Sequence, residues 1–228
     1  MSRDTGSLEL AHARIAARWG ARPDDAAWRR IEATHDLDAM LALARAGALA
    51  QWLGGIEAGT GLHRTEQLLR DRWRQRVDEV ADWMPAAWQP ALRWCAELVD
   101  LPGLQPWARR RPLPDGAGAS AAADAPALLA RWQARWRQLL PRDRGLEAIE
   151  YRLVPLLEAQ RRVFAAPGTV DGWALRRELQ GRLVLLWRRH PAEPVEAFVH
   201  LALCAIELER LRGEITRRAA FPLLELAA

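Results

Sequence analysis

Histidine, cysteine, serine and the many carboxylates are the groups here that could do chemistry. Lysine is absent, so all 33 basic residues are arginine. That excludes a Schiff base, a pyridoxal phosphate anchor, a P-loop lysine and a protein-kinase lysine. Among His12, His35, His63, His190 and His200, no two have the i, i+4 spacing of a zinc-binding helix. Cys95 and Cys204 lie far apart in apolar helical stretches, which predicts two reduced, buried thiols. The only serines, Ser2, Ser7 and Ser120, fall in expected tails or a linker, a poor setting for a nucleophile. Gly54, Gly55, Gly59 and Gly61 follow a helical pattern, with no strand ahead of them to build a phosphate-cradling loop. The carboxylates sit within helical reach of arginines, which predicts solvated i, i+4 pairs. The residues therefore offer no catalytic, cofactor-binding or metal site. An enzyme would need a site assembled from distant parts of the chain, with a deep pocket to hold it.

Binding is the other use for such side chains. The formal net charge is only +4, and the pI near 10.2 follows from arginine without lysine to titrate below it. No block is strongly basic, and the arginine runs 70–76 and 131–137 are interleaved with acids or apolar residues. A phosphate-tracking surface needs one-sided charge, so nucleic acid is not the expected partner. Small clusters at 109–111, 188–189 and 217–218 stand apart. Twelve tryptophans against three phenylalanines and one tyrosine make tryptophan the general aromatic of the core. Trp83, Trp88 and Trp107 lie near expected helix ends, where an exposed ring could anchor a partner.

The elements that must position these residues read as helices. Apolar residues recur at Leu62, Leu69, Trp73, Val77, Val80 and Met84 with charged residues between them. Thr60 is placed to cap that helix and Pro85 to open the next, over 85–99. Upstream, helices are expected at 8–20, 23–34 and 36–46, with a short one near 49–57. Downstream, they are expected at 126–140, 143–166, 171–190 and 194–218, with Asp171 as an N-cap and Pro194 in a first turn. Segment 111–125, rich in Pro, Gly, Ser and Ala without periodicity, reads as a flexible linker or loop. The fold class is all-α, a helical bundle of two multi-helix halves, 1–110 and 126–228, with no sheet. The halves read as related. One shift places Leu68, Arg70, Val77, Leu104 and Arg110 on Leu175, Arg177, Val184, Leu211 and Arg217, and sets Asp100 opposite Glu207. No uncharged stretch is long enough to span a bilayer and no signal peptide is visible, which predicts a cytoplasmic protein.

Taken in order, these elements resemble the V-type and A-type ATPase family of C-type subunits, called d-type in the eukaryotic enzyme. The motifs are Ala13-Arg14-Ile15-Ala16-Ala17-Arg18, the leucine-rich helix from Leu37 to Ala46 after Ile31-Glu32-Ala33-Thr34, and the apolar piece from Leu49 to Ile56. Thr65-Glu66-Gln67-Leu68-Leu69 follows, then Asp100-Leu101-Pro102-Gly103-Leu104 and Arg109-Arg110. The stretch from Phe198 to Pro222 is similar to the family's closing helix. Gly103 and Arg210 stand where the family has asparagine, and its members usually carry three helical repeats where this chain has room for two. The resemblance implies a non-catalytic coupling or assembly subunit without cofactors. Such a subunit is a helical socket between the central stalk and the proteolipid ring of a rotary ATPase, reaching the membrane only through its partners. Arg109, Arg110, Arg217, Arg218 and Trp107 would then form the partner-binding rim. The alternative is a helical scaffold or adaptor of an unrelated assembly, with an arginine-rich nucleic-acid binder behind it.

Overall fold

Alanine, leucine and arginine fill the periodic stretches, and these residues lose little on entering a helix. The computed structural model describes residues 3–100, 117–143, 145–165 and 171–220, with backbone alone for 3–7, 117–125 and 165. The N-terminal helices are α1 (Arg3–Gly20), α2 (Asp25–Ala33), α3 (Leu37–Arg45), α4 (Leu62–Trp83) and α5 (Gln89–Arg93). They are followed by α6 (Ala117–Leu139), α7 (Leu146–Ala148), α8 (Val154–Ala165), α9 (Gly172–Arg189) and α10 (Val195–Ala220). Short 3-10 helices occupy Ala48–Trp52 and Trp94–Asp100. The described residues contain no strand, so the class is all-α.

Local chemistry explains the boundaries. Asp24, Asp36 and Asp171 each accept hydrogen bonds from first-turn backbone N–H groups, capping α2, α3 and α9. Thr60 does not cap α4. Gly61 takes that position, and the Thr60 hydroxyl accepts from Glu57 N instead. Gly55 supplies the left-handed turn (φ 79°) that ends the 3-10 segment before α4. The continuous helix expected over 143–166 is broken by a π-helical turn at Ile149–Leu153. Pro155 follows at once, and its ring cannot donate to the carbonyl of Tyr151 four residues back. Part of the expected linker is helical. Residues 117–125 form the first turns of α6, because alanine drives a helix that has no amphipathic period to announce it. Residues 111–116 lie outside the described set.

Among the described residues, the buried side chains form one core. A single cluster of buried residues runs from Ala11 and Ile15 through Trp52, Trp73 and Leu92 to Leu183, Leu208 and Ile215. Its axis is α10, which packs against α1, α3, α4 and α9. The two expected halves therefore do not each enclose a core. Asp100 is half-exposed and paired with Arg70 and Arg74, whereas its expected counterpart Glu207 is buried, so that pair does not share an environment. Leu104 and Arg110 lie outside the described residues.

Candidate functional site

Several buried polar groups share one stripe of α10, which packs against α1 and α4. His200, Cys204 and Glu207 follow one another at i, i+4 and i+7, on the same stripe as Leu211 and Ile215. The Glu207 carboxylate accepts from Trp52 Nε1 at 2.6 Å, Gln51 Nε2 at 3.1 Å and Arg22 Nε at 3.2 Å. Arg76 is buried beside them. It donates to Glu79 at 2.6 Å and to the Gln51 side chain, and its guanidinium lies 5.8 Å from the Trp52 ring. Burial, helped by the charges of Arg76, Arg22 and Arg18, pushes the His200 pKa down to about 3, so the imidazole is neutral. The Cys204 thiol, 3.6 Å from His200 Nε2, is pushed up to about 12, and so is Cys95. Neither forms a thiolate near neutral pH, and both are buried, as the apolar setting in sequence predicts. In the first turn of α10, Glu196 accepts from His12 Nδ1 at 2.8 Å and from Ala192 N at 2.9 Å, which holds Ala192 at a positive φ of 58°.

These carboxylates are not the solvated pairs that local spacing predicts. Glu196 and Glu207 are buried, and each takes at least one partner more than 150 residues away along the chain. The imidazole of His200 is neutral, both thiols are protonated, and Glu196 and Glu207 each accept from more than one donor. Among the described residues, no group of three or more His, Cys, Asp or Glu side chains could hold a metal ion. None of the described helices is long and apolar enough to cross a membrane.

The outer surface carries a different feature. Where the last turns of α10 meet the start of α9 and the end of α2, a groove of about 370 Å3 is lined by Glu32, Trp173, Arg177, Arg210, Glu214 and Arg217. Arg210 lies 4.4 Å from the Trp28 ring and 5.7 Å from Trp173, and pairs with Glu32 at 2.5 Å. Arg176 lies 4.9 Å from the Trp173 ring and pairs with Glu209 at 2.9 Å.

The rim residues proposed from sequence part company here. Arg217 lines the groove and is 45% exposed. Arg218, its neighbour, is buried. It donates to the carbonyls of Ile31, Glu32 and Thr34, closing the C-terminus of α2, and to Glu214 at 2.6 Å. Arg218 is therefore a structural clamp rather than a rim residue, because one step along a helix rotates a side chain by about 100°. Trp88 is buried and Trp83 packs against the core, so neither is a free anchor. Trp107, Arg109 and Arg110 lie outside the described residues. Sequence reasoning overlooked Trp173, Arg177 and Arg210, whose signal is the i, i+4 spacing of Trp173 and Arg177 at the capped start of α9. No protein-family model, curated protein or solved structure matches the chain.

Proposed function

We propose that the chain is a non-catalytic coupling or assembly subunit of a V/A-type rotary ATPase, a helical socket that meets protein partners through the end of α10. The observation that carries this reading is the arginine- and tryptophan-lined groove at α2, α9 and α10, a shaped surface with Arg217 on it. Interfaces favour these two residue types because both bring large contact area and directional polar contact. The interior supports the same reading, since Glu196, Glu207 and Arg218 are each held by residues far along the chain. The order of helices and motifs, from Ala13 to the closing helix, supplies the link to rotary ATPases. Membrane association would come only through the proteolipid ring.

The test is co-purification of the tagged native chain with rotary ATPase stalk and ring subunits from its own cells. Retention that is lost in an Arg177→Glu/Arg217→Glu variant with unchanged melting supports the reading. A native chain that retains no ATPase subunit removes the rotary assignment and leaves a helical adaptor of another assembly.

A further inference from the structure

Helix α9 buries one face and leaves the other bare. Leu179, Leu183 and Leu186 face the core, and the helix packs against α8, α10 and the π-helical turn. An exposed stripe runs along the opposite face from Ala174 to Arg189, about 22 Å at 1.5 Å per residue. At about 100° per residue, Ala174, Gly181 and Leu185 fall within about 40° of one another along its centre. Arg177 and Arg188 flank this line on one side, Arg182 and Arg189 on the other. Glu178 is the one acid on the stripe, so the face carries an excess of positive charge.

The centre of the stripe is a shallow trough. Gly181 sits in mid-helix, where glycine is less stable than alanine, and a Cβ there would meet nothing within 4 Å. Nothing inside the chain asks for a glycine at this position. Leu185, one turn on, is 53% exposed, an apolar side chain among arginines. Those arginines differ in commitment. Arg182 pairs with Glu178 on its own helix, and Arg177 lies 3.9 Å from Asp171. Arg188 and Arg189 are exposed and have no ion pair among the described residues. Cations in a last turn favour the helix dipole, but that role accounts for neither the bare Leu185 nor the open space at Gly181.

We propose that this face of α9 docks an acidic amphipathic helix of a partner protein. Its apolar side chains lie along the trough over Gly181 and Leu185, and its carboxylates meet the arginines on both flanks. A helix fits because the trough follows a single helix axis, and a glycine lets two backbones approach closely. Arginine's planar fork favours carboxylates, and charges flanking an apolar seam fix the partner and register of paired helices. A bilayer would ask for more apolar side chains than Leu185 at the contact. A duplex would meet Glu178 and use neither Gly181 nor Leu185. The inference goes beyond the reading above and does not depend on which assembly the chain joins.

The main probe is a capped helical peptide of about three heptads, with alanine and leucine on one face and glutamate on both flanks. Its controls are the same helix with lysine for glutamate, a scrambled peptide of the same composition, a short DNA duplex and phosphatidylserine vesicles. Each is titrated against the full chain by calorimetry at low and moderate salt. The acidic helix is expected to bind, to weaken with salt, and to outbind the lysine helix about tenfold and the scrambled peptide severalfold. Arg188→Gln/Arg189→Gln should weaken it about tenfold with melting nearly unchanged. Gly181→Gln should move two readouts in opposite senses. Melting should rise, because glutamine is the better helix former, and affinity for the acidic helix should fall severalfold, because the trough is filled. No binding by the acidic helix, or equal binding by either peptide control, overturns the proposal. So does an affinity that either variant leaves untouched. Tighter binding of the duplex or the vesicles, lost in the arginine variant, also overturns it and gives the face to that partner.

Discussion

Acidification should destabilise this protein through one side chain, His200. In the folded chain its imidazole is walled off by the Trp83 ring, 6.4 Å away between centroids, and by Cys204, with Arg76, Arg22 and Arg18 adding positive charge. Its pKa falls from 6.5 to about 3. The unfolded chain binds a proton there below pH 6.5 while the folded chain does not, so stability is full above 6.5 and drains as pH falls toward 3. Between pH 7.5 and pH 5 the loss from this residue is about 2 kcal/mol, at about 1.4 kcal/mol per unit over the last one and a half units. The assay is urea unfolding followed by tryptophan fluorescence, for wild type and His200→Leu at several pH values. Leucine keeps much of the volume, and His200 Nδ1 has no hydrogen-bond partner to lose, so the variant should fold at neutral pH. The difference in unfolding free energy between the two proteins should shift by about 2 kcal/mol in favour of the variant as pH drops. The comparison cancels the other histidines. Parallel stability curves from pH 7.5 to 5 would refute the reasoning.

Arg218→Met should cost about 2–4 kcal/mol in urea unfolding, since it uncaps α2 and strips buried carbonyls of their donors, whereas Arg217→Met should stay within about 0.5 kcal/mol. Equal effects would mean that the two arginines do not differ in burial. Gly145→Ala should destabilise by about 1–3 kcal/mol, because the added Cβ would stand 2.6 Å from Cδ and Cγ of Pro194, at the entry to α10. Cys95 and Cys204 should resist Ellman's reagent at pH 8 in the native protein, and two thiols should titrate once it is unfolded in guanidinium.

The class and much of the element plan are legible in the sequence because both follow from local chemistry. The period from Leu62 to Met84 becomes α4, and Asp171 caps α9 as its position suggests. The failures come where tertiary partners decide. Local spacing offers Glu207 an arginine three residues on, yet its partners are Trp52, Gln51 and Arg22. Its place on the stripe shared by His200, Leu211 and Ile215 was the available warning, since a polar residue in phase with a buried face must find partners there. Arg217 and Arg218 look alike as a pair, and only the angle of α10 against α2 separates a rim residue from a clamp. The alanine stretch at the head of α6 has no period at all, so a reading built on amphipathicity does not see its helix.

Because α10 is both the axis of the core and the most C-terminal described helix, ribosomal synthesis imposes a waiting time on everything that packs against it. Trp52 and Glu207 are 155 positions apart. At about 5–20 residues per second, the indole waits roughly 8–30 s for its carboxylate. During that interval α3 and α4, with Met40, Leu41 and Val77 in the core, lack the α10 that packs against both helices. A translational stop before residue 195 should leave the apolar faces of α3 and α4 that meet α10 exposed, which would show as a lower soluble yield of the fragment. Slowing elongation downstream of α4 should lengthen this exposure and lower the soluble yield, with no change to the finished protein.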